Sequence, residues 1–156
     1  MKLNPDDFTN KAWQGIIDAK DLALTEKHQI LETEHLLWSL LKENEIAIKV
    51  IERSGGSIDN LLKEIEGFIK NQPKMQKAQE SIFFGKNISF SISRAKNIKQ
   101  YFKDDFISSE HLVISLFDDK RVCHKLFTQN QINKNSLLEA MKAIRGDRKV
   151  TQKNAE

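Results

Sequence analysis

Apolar residues recur three to four positions apart through almost every segment of this chain, the spacing of helices with one buried face. Phe8, Ala12, Ile16, Ala19 and Ala23 make one such face, widened by Trp13, Ile17 and Leu24. Pro5 suits the first position of a helix, where an N–H would have no partner, so a first helix is predicted from about Asn4. A second starts at Thr33, whose hydroxyl is placed to cap the first turn. Glu34 follows at the positive end of the helix dipole, and Leu36, Leu37, Leu40 and Leu41 form the buried stripe. A short third helix, near Ile46 to Arg53, stops at Gly55-Gly56. Ser57 caps a fourth that carries Ile58, Leu61, Leu62, Ile65, Phe68 and Ile69 and ends before Pro73.

A polar connector follows, and the series begins again. ISFSIS (Ile88–Ser93) alternates as a strand would. Yet Ile88, Ile92 and Ala95 also hold helical spacing, and the segment runs unbroken into RAKNIKQYF, which predicts a helix from Ile88 to Phe102. Ser108 or Ser109 caps a helix with Leu112, Val113, Leu116 and Phe117. Val122, Leu126 and Phe127 mark a short third, and Leu137, Leu138, Met141 and Ile144 a fourth closed by Gly146.

A shift of 76 positions superposes the two series. Ala19-Lys20 falls on Ala95-Lys96, Glu34-His35-Leu36 on Glu110-His111-Leu112, Ser39-Leu40 on Ser115-Leu116, and Leu61-Leu62 on Leu137-Leu138. The fold class expected is all-α: two tandem four-helix repeats packed about a pseudo-two-fold axis. Repeat one covers about residues 1–71, a connector about 72–86 and repeat two about 87–146. Together 1–146 form one domain, and 147–156 are a linker. Either repeat alone has little core, so pairing is the means of burying enough surface.

At 156 residues, 39% apolar and 30% charged, the chain has material for one soluble domain. Its net charge of +3 is too small and too scattered for a nucleic-acid footprint. No apolar run approaches the roughly 20 residues needed to span a bilayer. One cysteine, Cys123, excludes an internal disulfide and fits a reducing, cytoplasmic setting. The paired Glu-His motifs invite a metal or acid–base reading. Neighbours on a helix point about 100° apart, however, and the two-His zinc pattern is absent. Helix capping accounts for the motif, and no metal or cofactor is expected. Cys123-His124 lacks the setting of an activated nucleophile, and Cys123 superposes on Ala47, a small packing position. With no phosphate-binding loop and no nucleophile elbow, an enzyme is not expected. Binding of extended polypeptide in a groove between helices remains.

FTNKAW, ETEHLLWSLL, FISSEHLVISL and the closing RGDRKVTQKNAE together resemble the amino-terminal domain of the ClpB disaggregase family over nearly the whole chain. The tail is similar to the segment that joins this domain to the first AAA+ module. ETEHLL alone is also similar to the matching domain of ClpC and ClpA. The resemblance implies a non-catalytic, monomeric helical domain tethered to a hexameric AAA+ ring that works with the DnaK system. It implies binding of unfolded or aggregated polypeptide, and no nucleic-acid or membrane partner. Carried over residue by residue, it points to Thr9, Asp104 and Glu110 as polar contacts to client, with Ile92 and Ile98 beside them in an apolar groove. Arg94, Lys99 and Lys103 depart towards a more cationic groove, and Trp38 is unusually large. The alternative is an adaptor-docking domain of a ClpC- or ClpA-type protease chaperone.

Overall fold

The computed structural model describes residues 2–77 and 80–156. Among them are a 3-10 turn, Pro5–Asp7, and eight α-helices. In repeat one these are α1 Asn10–Thr25, α2 Thr33–Glu43, α3 Glu45–Arg53 and α4 Ile58–Lys70. In repeat two they are α5 Lys86–Tyr101, α6 Ser109–Leu116, α7 Cys123–Gln129 and α8 Lys134–Arg145. Two-residue strands β1 Ile30–Leu31 and β2 Phe83–Phe84 complete the elements. The alternating ISFSIS stretch lies within α5.

α2 and α6 form the centre. Leu36, Leu37 and Leu40 of α2, and Leu112, Val113, Ile114 and Leu116 of α6, are wholly buried. Each leucine contributes roughly 1.5–3 kcal/mol by leaving water. α1 covers α2 and α5 covers α6 within their repeats, while α3 packs on α8 and α4 on α7 across them. Gly56 stands at one such crossing: an added Cβ would lie 2.5 Å from Ile132.

The repeats also exchange arms. β1 pairs in parallel with β2, with Leu31 opposite Phe84, and Phe8 bridges Ile107 in the same sense. A shift of 76 positions carries one pair onto the other, so the segment before each repeat's first helix pairs with the segment before the other's second. Thr9 N–H donates to the Ile107 carbonyl at 3.0 Å, and Gly85 N–H to Leu31 at 2.9 Å.

This exchange corrects the expected first helix. Pro5 opens only the 3-10 turn, and Phe8 is extended because its neighbours bond to repeat two. Thr9 then becomes the N-cap of α1, its side chain accepting from Ala12 N–H at 3.2 Å.

α1 and α5 end alike. Lys27 and Lys103 each adopt φ 58°. The next residues, His28 and Asp104, donate their N–H back to Ala23 at 2.9 Å and Lys99 at 3.0 Å, the six-to-one bond of a Schellman cap.

Candidate polypeptide-binding site

The two Glu-His motifs open α2 and α6. The cap of α2 is Glu32 rather than the expected Thr33, and the cap of α6 is Ser108. In both, the histidine three positions on closes a capping box: Nδ1 of His35 accepts the Glu32 N–H at 2.9 Å, and Nδ1 of His111 the Ser108 N–H at 2.9 Å. The histidines therefore have the structural task usually given to Glu or Gln. The freed hydroxyl of Thr33 donates across the repeats to Asp119 Oδ2 at 2.9 Å, and Ser109 Oγ accepts from Asn44 Nδ2 at 2.7 Å. Asn44 caps α3, accepting from Ala47 N–H at 2.9 Å, and Asp119 accepts from the N–H of Cys123, the first residue of α7, at 2.9 Å. Cys123 is fully buried, as is Ala47, and burial pushes its thiol pKa well up, away from nucleophilic chemistry.

Because Nδ1 accepts a backbone N–H in both histidines, each imidazole carries its proton on Nε2. From there the repeats diverge. His35 Nε2 meets His28 Nδ1 at 2.8 Å, which leaves the proton of His28 on its own Nε2, buried and without a partner. Burial, then His28 and Arg121, push the pKa of His35 down to about 3. His111 Nε2 instead meets Asp104 Oδ2 at 2.8 Å. Burial alone would raise Asp104. Hydrogen bonds from His111, the Val150 N–H and Arg145 outweigh it and hold the carboxyl at about 2.

The adjacent glutamates follow the same division. Glu34 takes a two-pronged contact from Arg121 of repeat two, at 3.0 and 3.1 Å. Glu110 is paired with Arg145 of its own repeat, which also donates to Asp104 at 2.6 Å. Glu110 Oε2 is buried without a partner, and Glu110 lines a cavity of about 330 Å³ whose wall mixes Ile46, Val50, Met141 and Ile144 with Arg145, Arg148 and Lys149 and with residues 150–152, 155 and 156.

Thr9, Asp104 and Glu110 are all buried; Thr9 and Asp104 bond the closing segment at Glu156 and Val150, and of the three only Glu110 lines the cavity. Residues 147–156, expected as a linker, lie against that cavity, with Lys149 Nζ donating to the Phe102 carbonyl at 2.8 Å. Ile92 is 6% exposed in the core and Ile98 half-buried against it; neither lines this cavity. Arg94 lies along its own repeat, donating to the Ser115 carbonyl at 3.1 Å and Ser91 Oγ at 2.8 Å. The corresponding groove of repeat one, between α1 and α2, is open. It measures about 610 Å³ and is lined by Asp18, Asp21, Glu43 and the half-buried Trp38, which sequence reasoning noted only for its size. Among the described residues no three His, Cys, Asp or Glu side chains gather to hold a metal ion, and no helix is long and apolar enough to cross a membrane.

An all-helical pseudo-dimer with crossed arms and repeated Glu-His capping turns is the architecture of a Clp-type amino-terminal module. The profile of the Clp repeat (R) N-terminal domain matches residues 7–131, and the chain belongs to that family. The chaperone protein ClpB of Prochlorococcus marinus is 43% identical over 156 residues, all of this chain and 18% of that protein. The chain therefore spans under a fifth of the length of this curated relative. The Hsp104 N-terminal domain from Candida albicans superposes with a TM-score of 0.84 at 18% identity, covering 96% of this chain and 98% of that one. A ClpV N-domain in complex with a VipB peptide has the same fold, with a TM-score of 0.71 at 14% identity over 94% of this chain and 98% of that one.

Proposed function

We propose that this domain recruits unfolded or aggregated polypeptide for a cytoplasmic AAA+ disaggregase ring, is not itself catalytic, and holds its clients at Thr9, Asp104 and Glu110. The observation that carries the reading is that Thr9 and Asp104 bond a non-helical stretch of polypeptide, residues 150–156, while Glu110 lines the cavity beside it. Relatives that bear the ClpB name along the whole chain support the disaggregase setting. The VipB peptide held by a ClpV N-domain supports peptide binding as a use of this fold. Fluorescence titration with a permanently unfolded protein tests it. Micromolar or weaker affinity is expected, since a small cleft must offset the ordering of a flexible client. Thr9→Ala and Glu110→Ala should each weaken it at least several-fold while far-ultraviolet circular dichroism holds. Unchanged affinity in both would remove the site.

The open α1–α2 groove favours a second reading. Its Asp18, Asp21 and Glu43, against one Lys11, suit a basic surface on the folded adaptor of the ClpC- or ClpA-type alternative. Capture of a discrete folded partner that is lost in Asp21→Lys, with no affinity for unfolded protein, would decide for it.

A further inference from the structure

The segment Val150–Glu156 sits in the cleft as a bound peptide would. Val150 is 5% exposed; its N–H donates to Asp104 Oδ1 at 2.9 Å and its carbonyl accepts from Asp105 N–H at 2.8 Å. Three residues on, the Lys153 carbonyl accepts from Asn10 N–H at 2.7 Å. Glu156 Oε2 then lies between the Thr9 hydroxyl and the Ser109 N–H. Asn10 and Ser109 are the first residues of α1 and α6, whose leading N–H groups have no partner inside their helices. The segment therefore makes main-chain bonds at two places, buries one branched apolar side chain and sets a carboxylate where two helix N-termini meet.

It is also an imperfect occupant. Glu156 Oε1 is buried without a partner, and burial raises the pKa of its carboxyl, with Glu110 adding to the rise. Glu110 Oε2 remains without a donor, and the cavity beside the segment, part apolar and part cationic, stays open. An incoming chain with an N–H or O–H for Glu110 and a side chain for the cavity would satisfy what this segment leaves unsatisfied.

We propose that the cleft is a peptide-binding site occupied by the chain's own residues 150–156, and that clients enter by replacing this segment. They do so with a stretch of the same kind: a branched apolar residue, a turn like that closed by the Ala155 N–H to the Gln152 carbonyl at 3.2 Å, and, six residues after the apolar residue, a carboxylate. The inference rests on the reading of Thr9, Asp104 and Glu110 as client contacts, since Thr9 and Asp104 bond the occupant and Glu110 flanks it.

The test uses the full chain, Val150→Asp as the variant that releases the segment, and two labelled probes. One is reduced, carboxymethylated lactalbumin as unfolded client; the other is a peptide of residues 147–156. Val150 lies outside all eight helices, so the variant should keep its helical circular dichroism. Apparent affinity scales with the fraction of open sites, so a segment in place nine-tenths of the time predicts roughly tenfold tighter client binding to Val150→Asp. The peptide should bind the variant and be displaced by the client. Equal client affinity in both chains would leave the client reading standing and overturn this inference, as would failure of the peptide to bind the variant. Peptide binding with no client binding to either chain would keep the occupant's site but overturn its replacement by clients, and with it the client reading.

Discussion

In each repeat the residue after a left-handed lysine meets Nε2 of the capping histidine: His28 in repeat one, Asp104 in repeat two. The frames are the same, down to the φ of 58° at Lys27 and Lys103. A neutral partner leaves repeat one without a carboxylate at this position, and its Glu34 pairs with an arginine of the other repeat beside a cavity of about 240 Å³. A carboxylate partner gathers Arg145, Glu110 and the Val150 N–H around repeat two. One side chain thus separates a turn closed by two histidines from one closed by a histidine, a carboxylate and Arg145.

The sharpest way to break this difference is Asp104→His, which writes repeat one into repeat two. Arg145, 9% exposed at its side chain, would keep only Glu110, and Val150 N–H would lose its acceptor. Removing one partner of a buried pair costs about 3–5 kcal/mol, to be measured by urea unfolding.

Acid separates the turns next. His35 falls from 6.5 unfolded to about 3 folded. The unfolded chain therefore takes up the proton first. The contribution is complete above pH ~6.5 and is lost as pH falls from there towards 3, an effect on the order of 3–5 kcal/mol at most. Asp104, at about 2 against 3.8, gives way only below pH ~4. His35→Gln retains an acceptor for the Glu32 N–H and should reduce, though not abolish, the loss of stability between pH 6.5 and 4, since burial also lowers the pKa of His28; an unchanged profile would put the titration elsewhere.

Smaller effects probe what the repeats share. Thr33→Val and Ser109→Ala each remove one cross-repeat hydrogen bond and should cost about 1–2 kcal/mol, in similar amounts if the exchange is symmetric. Smallest are Lys27→Gly and Lys103→Gly. Each relieves a left-handed side chain and should stabilise by about 0.5–1 kcal/mol in thermal melts.

All eight helices and the repeat were legible because buried apolar residues at helical spacing override local ambiguity, as Ile88, Ile92 and Ala95 do at ISFSIS. β1 and β2 were not, since two residues carry no alternation and their pairing is long-range. Thr33 reads as a cap because the preceding Glu32 is the rarer choice, and its hydroxyl is needed on Asp119, 86 residues away. His35 and His111 carried no special role in the sequence, because an imidazole at the third position of a capping box looks the same as one on a buried face. Thr9, Asp104 and Glu110 came from family resemblance. What links them, Arg145 and the closing segment, was not legible: Arg145 read as one more basic residue, and the tail, through its resemblance, as a linker rather than as packed chain.

The crossed arms make each half of the chain a template for the other. Phe8 has its place only once Ile107 is extended, and Phe84 only once Leu31 is. Neither half can mature alone, so unfolding should be a single cooperative event, and loss of either repeat should take its sibling with it. The same geometry is what two copies of a shorter ancestor would adopt if they swapped leading segments, with fusion turning a partnership between molecules into one within a single chain.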